Sequence, residues 1–252
     1  MGLNDGGTSK IDYNVVVIIS ANAEWHVIHN REPELVMNKS PFGEWFLHTY
    51  PDIPDWINPV LLFHGGWGKI ASAASTQFVI DQWHPLLIIN LGTCGGFEGE
   101  IDKGTIILVE RTIVYDIFEQ MGDKEEHIKH YTTEIDNSWV TEPYPLPVQR
   151  SLLISGDRDL IAEDIPKLKT SYAAKAGDWE SGSIAWVANR NRTQCLILRG
   201  VTDLVGDMGG EAYDGKIQVF IDNTDLIMNS LIDSLSLWIN KFSKFYTRKD
   251  LK

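Results

Sequence analysis

Short apolar runs rich in valine and isoleucine recur along this chain, and the segments between them are long enough to hold helices. The runs cover 15–20 (VVVIIS), 60–64, 86–90, 105–110, 152–155 and 195–202. Their continuous apolarity marks strands covered on both faces. Helical spacing predicts helices over 70–83, 181–189 and 224–242. In the first, Ala71, Ala74, Phe78 and Gln82 fall near one face, and Pro85 ends the run just before a strand. In the last, Leu226, Ile227, Leu231, Leu235 and Trp238 recur at helical spacing, and Asp222, Asn223 or Thr224 can cap the first turn. Strands alternating with helices predict an α/β fold.

The chain has 252 residues, 43% of them hydrophobic, enough for a single domain over 1–252. Within it, 1–10 reads as disordered. The segment 122–147, charged and then rich in proline at Pro143, Pro145 and Pro147, reads as an irregular loop or lid. No internal repeat, basic leader or membrane-length apolar run occurs, so the expectation is a soluble, cytoplasmic protein with no membrane partner. The two cysteines, Cys94 and Cys195, lie in or beside strand-like runs and suit free thiols in a reducing compartment. A formal charge of -13 with only a mild basic cluster at 241–252 argues against nucleic acid polymers. No His, Cys and carboxylate spacing points to a metal, and no cofactor is expected.

Function is carried by the ends of the strands, where α/β sheets bind ligands. IINLGTCGGFEGEIDKGTIILVE, 88–110, holds Gly92, Gly95, Gly96 and Gly99, and HGGWGK, 64–69, repeats the pattern of a strand end turning through glycines. Glycines there either make tight turns or let backbone amides approach a ligand closely. HGGWGK lacks the spacing of a P-loop or a dinucleotide fingerprint. His64 and Trp67 fit a pocket wall or plain packing, while His26 and His84 read as structural. Three acids follow or flank buried runs: Glu24 after VVVIISANA, Glu180 in GDWESGSIAWVAN and Asp203 after LILRGVT. Each alone fits a helix cap or a surface charge; together they can converge in one cleft.

The run GWGKIASAAS, the glycine segment through to YD at 115–116, LLISGDRDLI, GDWESGSIAWVAN and LRGVTDL, in this order, resemble the nucleoside phosphorylase superfamily. The likeness is greatest to its methylthioadenosine/S-adenosylhomocysteine nucleosidase branch. The resemblance implies a three-layer α/β/α sandwich with a central twisted mixed sheet, and N-glycosidic hydrolysis of a purine nucleoside. It implies that Asp203 protonates the purine at N7, that Glu180 accepts hydrogen bonds from ribose hydroxyls, and that Trp179 lies against sugar or base in place of the usual methionine. Glu24 would polarise the attacking water, with Thr93 and Arg199 completing the hydrogen bonding around it. Gly95 and Leu160 would line the substrate site, the backbone of Leu160 facing the purine. Cleavage builds positive charge on the ribose and negative charge on the base, and these residue types match that need.

Two enzymatic outcomes are open on this fold. ISANAEWHVI places a carboxylate, with no glycine or arginine, where a phosphorylase holds phosphate, which favours water as nucleophile over phosphorolysis. The alternative for Glu24 is a first-turn glutamate on the helix dipole. A nucleoside-binding module without turnover is the non-enzymatic alternative. Arg158 and Asp159 depart from the family's usual residues, and Asp159 either meets an amino group or a cation on the base or points to solvent. Ile117, Phe118 and Met121, apolar residues in the segment 115–122, predict a homodimer or higher homo-oligomer in which this segment, Phe118 included, closes the neighbouring pocket, as the resemblance also implies; the alternative tucks them under their own loop.

Overall fold

In the computed structural model of the protein, residues 12–213 and 215–246 are described; the expectation for 1–10 lies outside them. β1 (Val15–Ile19) runs into α1 (Asn22–Arg31), and the hairpin β2 (Asn38–Ser40) and β3 (Gly43–His48) leads to β4 (Val60–His64). Next come α2 (Gly68–Trp83), β5 (Leu87–Phe97), β6 (Ile106–Val114), α3 (Lys124–His130), β7 (Thr132–Glu134) and β8 (Gln149–Ser155). The chain ends with α4 (Ile165–Tyr172), β9 (Ala176–Asp178), α5 (Ser181–Arg190), β10 (Gln194–Gly206), β11 (Gly209–Gly210), α6 (Ile217–Asp233) and α7 (Leu235–Phe245). No helix among the described residues is long and apolar enough to cross a membrane.

The strands form one mixed sheet. β1 lies between β4 and β5, parallel to both, and β3 adds to β4 antiparallel. β5 is the hub: it pairs parallel with β10 and antiparallel with β9. β10 continues to β6, β6 to β8 and β8 to β9, so five strands close on themselves around β5. Along β1 the period of two is visible in the packing. Val15, Val17 and Ile19 join a core with Trp25 and Ile28 of α1, Met228 and Leu231 of α6 and Trp238 of α7. Val16 and Ile18 face the opposite core, with Val79 and Trp83 of α2 and Ile184 of α5. Helices therefore cover both faces, as the three-layer expectation required.

Several boundaries differ from the sequence reading. β5 does not stop at Asn90 but runs through the glycines to Phe97, because Gly95 and Gly96 keep pairing with β9 and β10. The segment 122–147 is not wholly irregular: Asp123 caps α3 by accepting from the Glu125 amide at 2.9 Å, and β7 pairs with β6. The C-terminal helix begins at Ile217 and breaks at Ser234, so Asp222, Asn223 and Thr224 are interior rather than capping. α2 buries Ser72, Ser75, Thr76, Val79, Ile80 and Trp83, not the Ala71–Gln82 face. Its small hydroxyl residues let α5 come close, with Ser72 Oγ 2.6 Å from Ser183 Oγ. Cys94 and Cys195 are buried and unpaired.

Candidate active site

The strand ends enclose a cavity of about 540 Å³ whose lining includes Glu24, Thr93, Gly95, Leu160, Trp179, Glu180 and Asp203. Glu24 reaches it from the first turn of α1. Its Oε2 accepts from the Ala21 amide at 3.2 Å, which caps the helix. Its Oε1 accepts from both the amide and the hydroxyl of Thr93, at 2.6 and 2.9 Å. One carboxylate thus serves as a cap and faces the cavity.

Asp203 owes its orientation to an irregularity. β10 pairs with β5 in register up to Val201 opposite Cys94, then resumes with Asp203 opposite Gly95, leaving Thr202 as a bulge. Bulges re-aim side chains beside functional sites. Asn223 of α6 donates to the bulged Thr202 carbonyl at 2.7 Å, and the Thr202 hydroxyl donates to Asp203 Oδ1 at 2.6 Å. Burial raises the proton affinity of Asp203; the Thr202 hydrogen bond opposes this, and Glu211 and Asp159 add to it. Asp203 is therefore suited to carry a proton at a pH where an ordinary carboxyl has lost it.

Glu180 sits where β9 gives way to α5. It accepts from the Gly68 amide at 3.0 Å, and burial, against the pull of Arg199, pushes its proton affinity up. Beside it Trp179 stacks on Trp67, ring centroids 6.4 Å apart and planes at 15°, making one aromatic wall.

Arg199 is fully buried and stands behind the cavity wall. Its Nε donates to Ser181 Oγ at 2.9 Å and its Nη2 to Asn90 Oδ1 at 2.8 Å. Asp178, Glu24 and Glu180 surround it at 3.0, 3.6 and 3.7 Å. Burial works against its charge, but these three carboxylates hold its proton affinity above the ordinary value. Gly92 makes this possible, since a Cβ there would lie 1.9 Å from Arg199 Nη1 and 2.8 Å from Glu24 Oε1. Neither reading of the glycines, turn or ligand approach, describes Gly92: it admits a buried guanidinium.

Phe118 is 70% exposed on the outside, beneath Lys167 at 6.0 Å, and takes no part in its own chain's cavity. Met121 is 97% exposed, so neither tucks under its loop. His64 stacks on Trp25 at 5.2 Å, away from the lining. Sequence reasoning missed Asp178, which lines the cavity, accepts from Ser155 Oγ at 2.6 Å and pairs with Arg199; its place two residues before Glu180 was the available signal. Tyr213 and Phe220 were missed too, because the sequence reading ends its last strand at 202 and begins its last helix at 224, which leaves both residues outside any element, whereas α6 begins at Ile217. Cys94 also lines the cavity, but burial pushes its thiol well up, which disfavours a thiolate. Among the described residues no His, Cys, Asp and Glu group is arranged to hold a metal.

Similarity to known proteins follows the same elements. A 5'-methylthioadenosine/S-adenosylhomocysteine nucleosidase of Marinomonas sp. is 22% identical over 187 residues, 69% of this chain and 80% of its own. The crystal structure of the Campylobacter jejuni nucleosidase of that name superposes with a TM-score of 0.70 at 16% identity, covering 89% of this chain and 99% of its own. Futalosine hydrolase of Helicobacter pylori superposes with a TM-score of 0.71 at 14% identity, over 89% and 98%. The family description that fits residues 56–233 is the phosphorylase superfamily, and with that match running from β4 to the end of α6 the chain belongs to this superfamily.

Proposed function

We propose that this protein hydrolyses the N-glycosidic bond of a purine nucleoside, as a nucleosidase of the methylthioadenosine/S-adenosylhomocysteine type. The observation that carries the reading is the pairing of Glu24 with Thr93 on one wall of a cavity that is also lined by Asp203, whose proton affinity burial raises. With the base at Asp203 and the ribose hydroxyls at Glu180, the bond from C1' to N9 breaks with its electrons going to the base, and Asp203 delivers a proton to N7. Water adds to C1' and passes a proton to Glu24. Arg199 acts as a positioning residue by holding Glu24, Asp178 and Glu180 together. A phosphate dianion in the same place would face these carboxylates, with the Arg199 guanidinium buried and already paired and that of Arg158 paired with Asp164 at 3.0 Å.

The chain works as one domain in the cytoplasm, where two unpaired buried thiols are at home, and as a homodimer. Asp116 pairs with Lys69 and accepts from the Asp157 amide at 2.9 Å, pinning the root of the segment whose exposed Phe118 and Met121 a second subunit would cover. The test is incubation with a panel of purine nucleosides in phosphate-free buffer. Release of free base with free or 5'-substituted ribose is expected; strict dependence on added phosphate, with ribose 1-phosphate as product, overturns hydrolysis.

A further inference from the structure

The base end of the cavity carries a second carboxylate to which the reaction above assigns no role. Asp159 lines this wall on the loop after β8. Its neighbour Arg158 is paired elsewhere, with Asp164 at 3.0 Å. A Cβ on Gly95 would lie 3.1 Å from Leu160 Cδ1 and 4.0 Å from Asp203 Oδ2, so the loop that carries Asp159 abuts the proposed proton donor.

The other acceptors nearby are partly occupied. The Leu160 carbonyl accepts from the Tyr213 hydroxyl at 2.8 Å, which fills one of its acceptor positions with a residue that itself lines the cavity. Asp203 Oδ1 takes the Thr202 hydroxyl, while Oδ2 lies within 4.0 Å of the point where a Cβ on Gly95 would stand, on the cavity side. In a purine the C6 substituent sits next to N7. A base with N7 at Asp203 therefore brings its C6 substituent toward the region between Asp203 and Asp159. A carboxylate can only accept hydrogen bonds. A 6-amino group offers it an N–H; a 6-oxo group offers it only lone pairs.

We infer that Asp159 is a specificity-determining residue: its carboxylate accepts a hydrogen bond from the 6-amino group of the purine and disfavours 6-oxopurines. This rests on the base placement proposed above. A hydrogen bond to a charged acceptor, set against an unpaired acceptor facing a carbonyl, separates the two bases by about 10- to 100-fold.

The experiment compares base release from adenosine and inosine, and calorimetric binding of free adenine and hypoxanthine, in the wild type, Asp159→Asn and Asp159→Glu. The wild type is expected to favour the 6-amino compounds in both assays. Asp159→Asn, whose amide can donate to a 6-oxo group, should lower that preference by about 10-fold or more, and Asp159→Glu, which keeps an acceptor, should retain most of it. An unchanged ratio in Asp159→Asn, or a wild type that favours inosine and hypoxanthine, overturns the inference. Should the wild type release no base yet bind adenine over hypoxanthine, with the preference lost in Asp159→Asn, the selector stands and the hydrolytic reading falls.

Discussion

Replacing Gly92 by alanine probes the most crowded point of the site. The added Cβ would stand 1.9 Å from Arg199 Nη1, against an ordinary contact of about 3.5 Å, so the guanidinium must retreat by roughly 1.5 Å. Its bonds to Ser181 and Asn90, now 2.9 and 2.8 Å, cannot both survive such a shift. Backbone movement is no easier, because Gly92 is paired with Arg199 itself across β5 and β10. Disrupting a buried ion pair costs about 3–5 kcal/mol, a large part of the roughly 5–15 kcal/mol that holds a domain folded. At about 2–4 °C per kcal/mol for a chain of this size, the melting temperature should fall by about 6–20 °C. Turnover should fall with it, since the same side chain holds Glu24 and Glu180. Gly99→Ala is the control: its φ of +78° is strained for alanine, but nothing lies within 4 Å, so it should cost only about 1–2 kcal/mol. Thermal melts and base-release assays on both variants decide the matter. A Gly92→Ala protein melting within a few degrees of the wild type and fully active would refute the argument that Arg199 organises the site.

Asp203→Asn should lower turnover by about 10²-fold or more with the melting temperature kept, the scale of a lost general acid; near-normal rates in a folded variant would remove Asp203 from the chemistry. Because its proton affinity is raised in the folded state, the proton it holds stabilises the fold at low pH, and that contribution is lost as pH rises from the ordinary carboxyl range through the raised value. Melting temperatures across that window should show Asp203→Asn flattening this part of the curve. Nucleoside 5'-monophosphates should be poor substrates, since Glu24 and Asp178 line the cavity and its guanidiniums are already paired; kcat/KM for a nucleoside and its monophosphate gives the comparison, and equal values would contradict it. Phe118→Glu should weaken self-association in sedimentation and raise KM together, whereas a fully active monomeric wild type would rule out a shared pocket.

The legible parts of this protein are those whose pattern repeats. Five apolar residues in a row at Val15–Ile19 leave little choice but a strand covered on both sides, and glycines beside acids at strand ends led to Glu24, Glu180 and Asp203, all of which line one cavity. Elements whose stability comes from a single partner escaped. The hairpin of β2 and β3 and the short β9 exist because β4, β5 and β8 offer them edges, and α4 buries only Ile165 and Leu168, too few for a period to show. The site obeys the same division. A carboxylate announces itself in a sequence, but whether it lines a cavity or stands behind one depends on packing between distant strands. Arg199 is buried behind the cavity wall because Gly92, 107 positions earlier by their numbers, clears its space. That separation explains why motif reading finds acids that share one cavity but not how Arg199 is held: spacing along the chain reports neighbours on one element, whereas the place of Arg199 is set across the β5–β10 pair. The same reasoning accounts for Asp178, two positions before Glu180, whose pairing with Arg199 at 3.0 Å joins β9 to β10 and leaves no trace in the spacing of either.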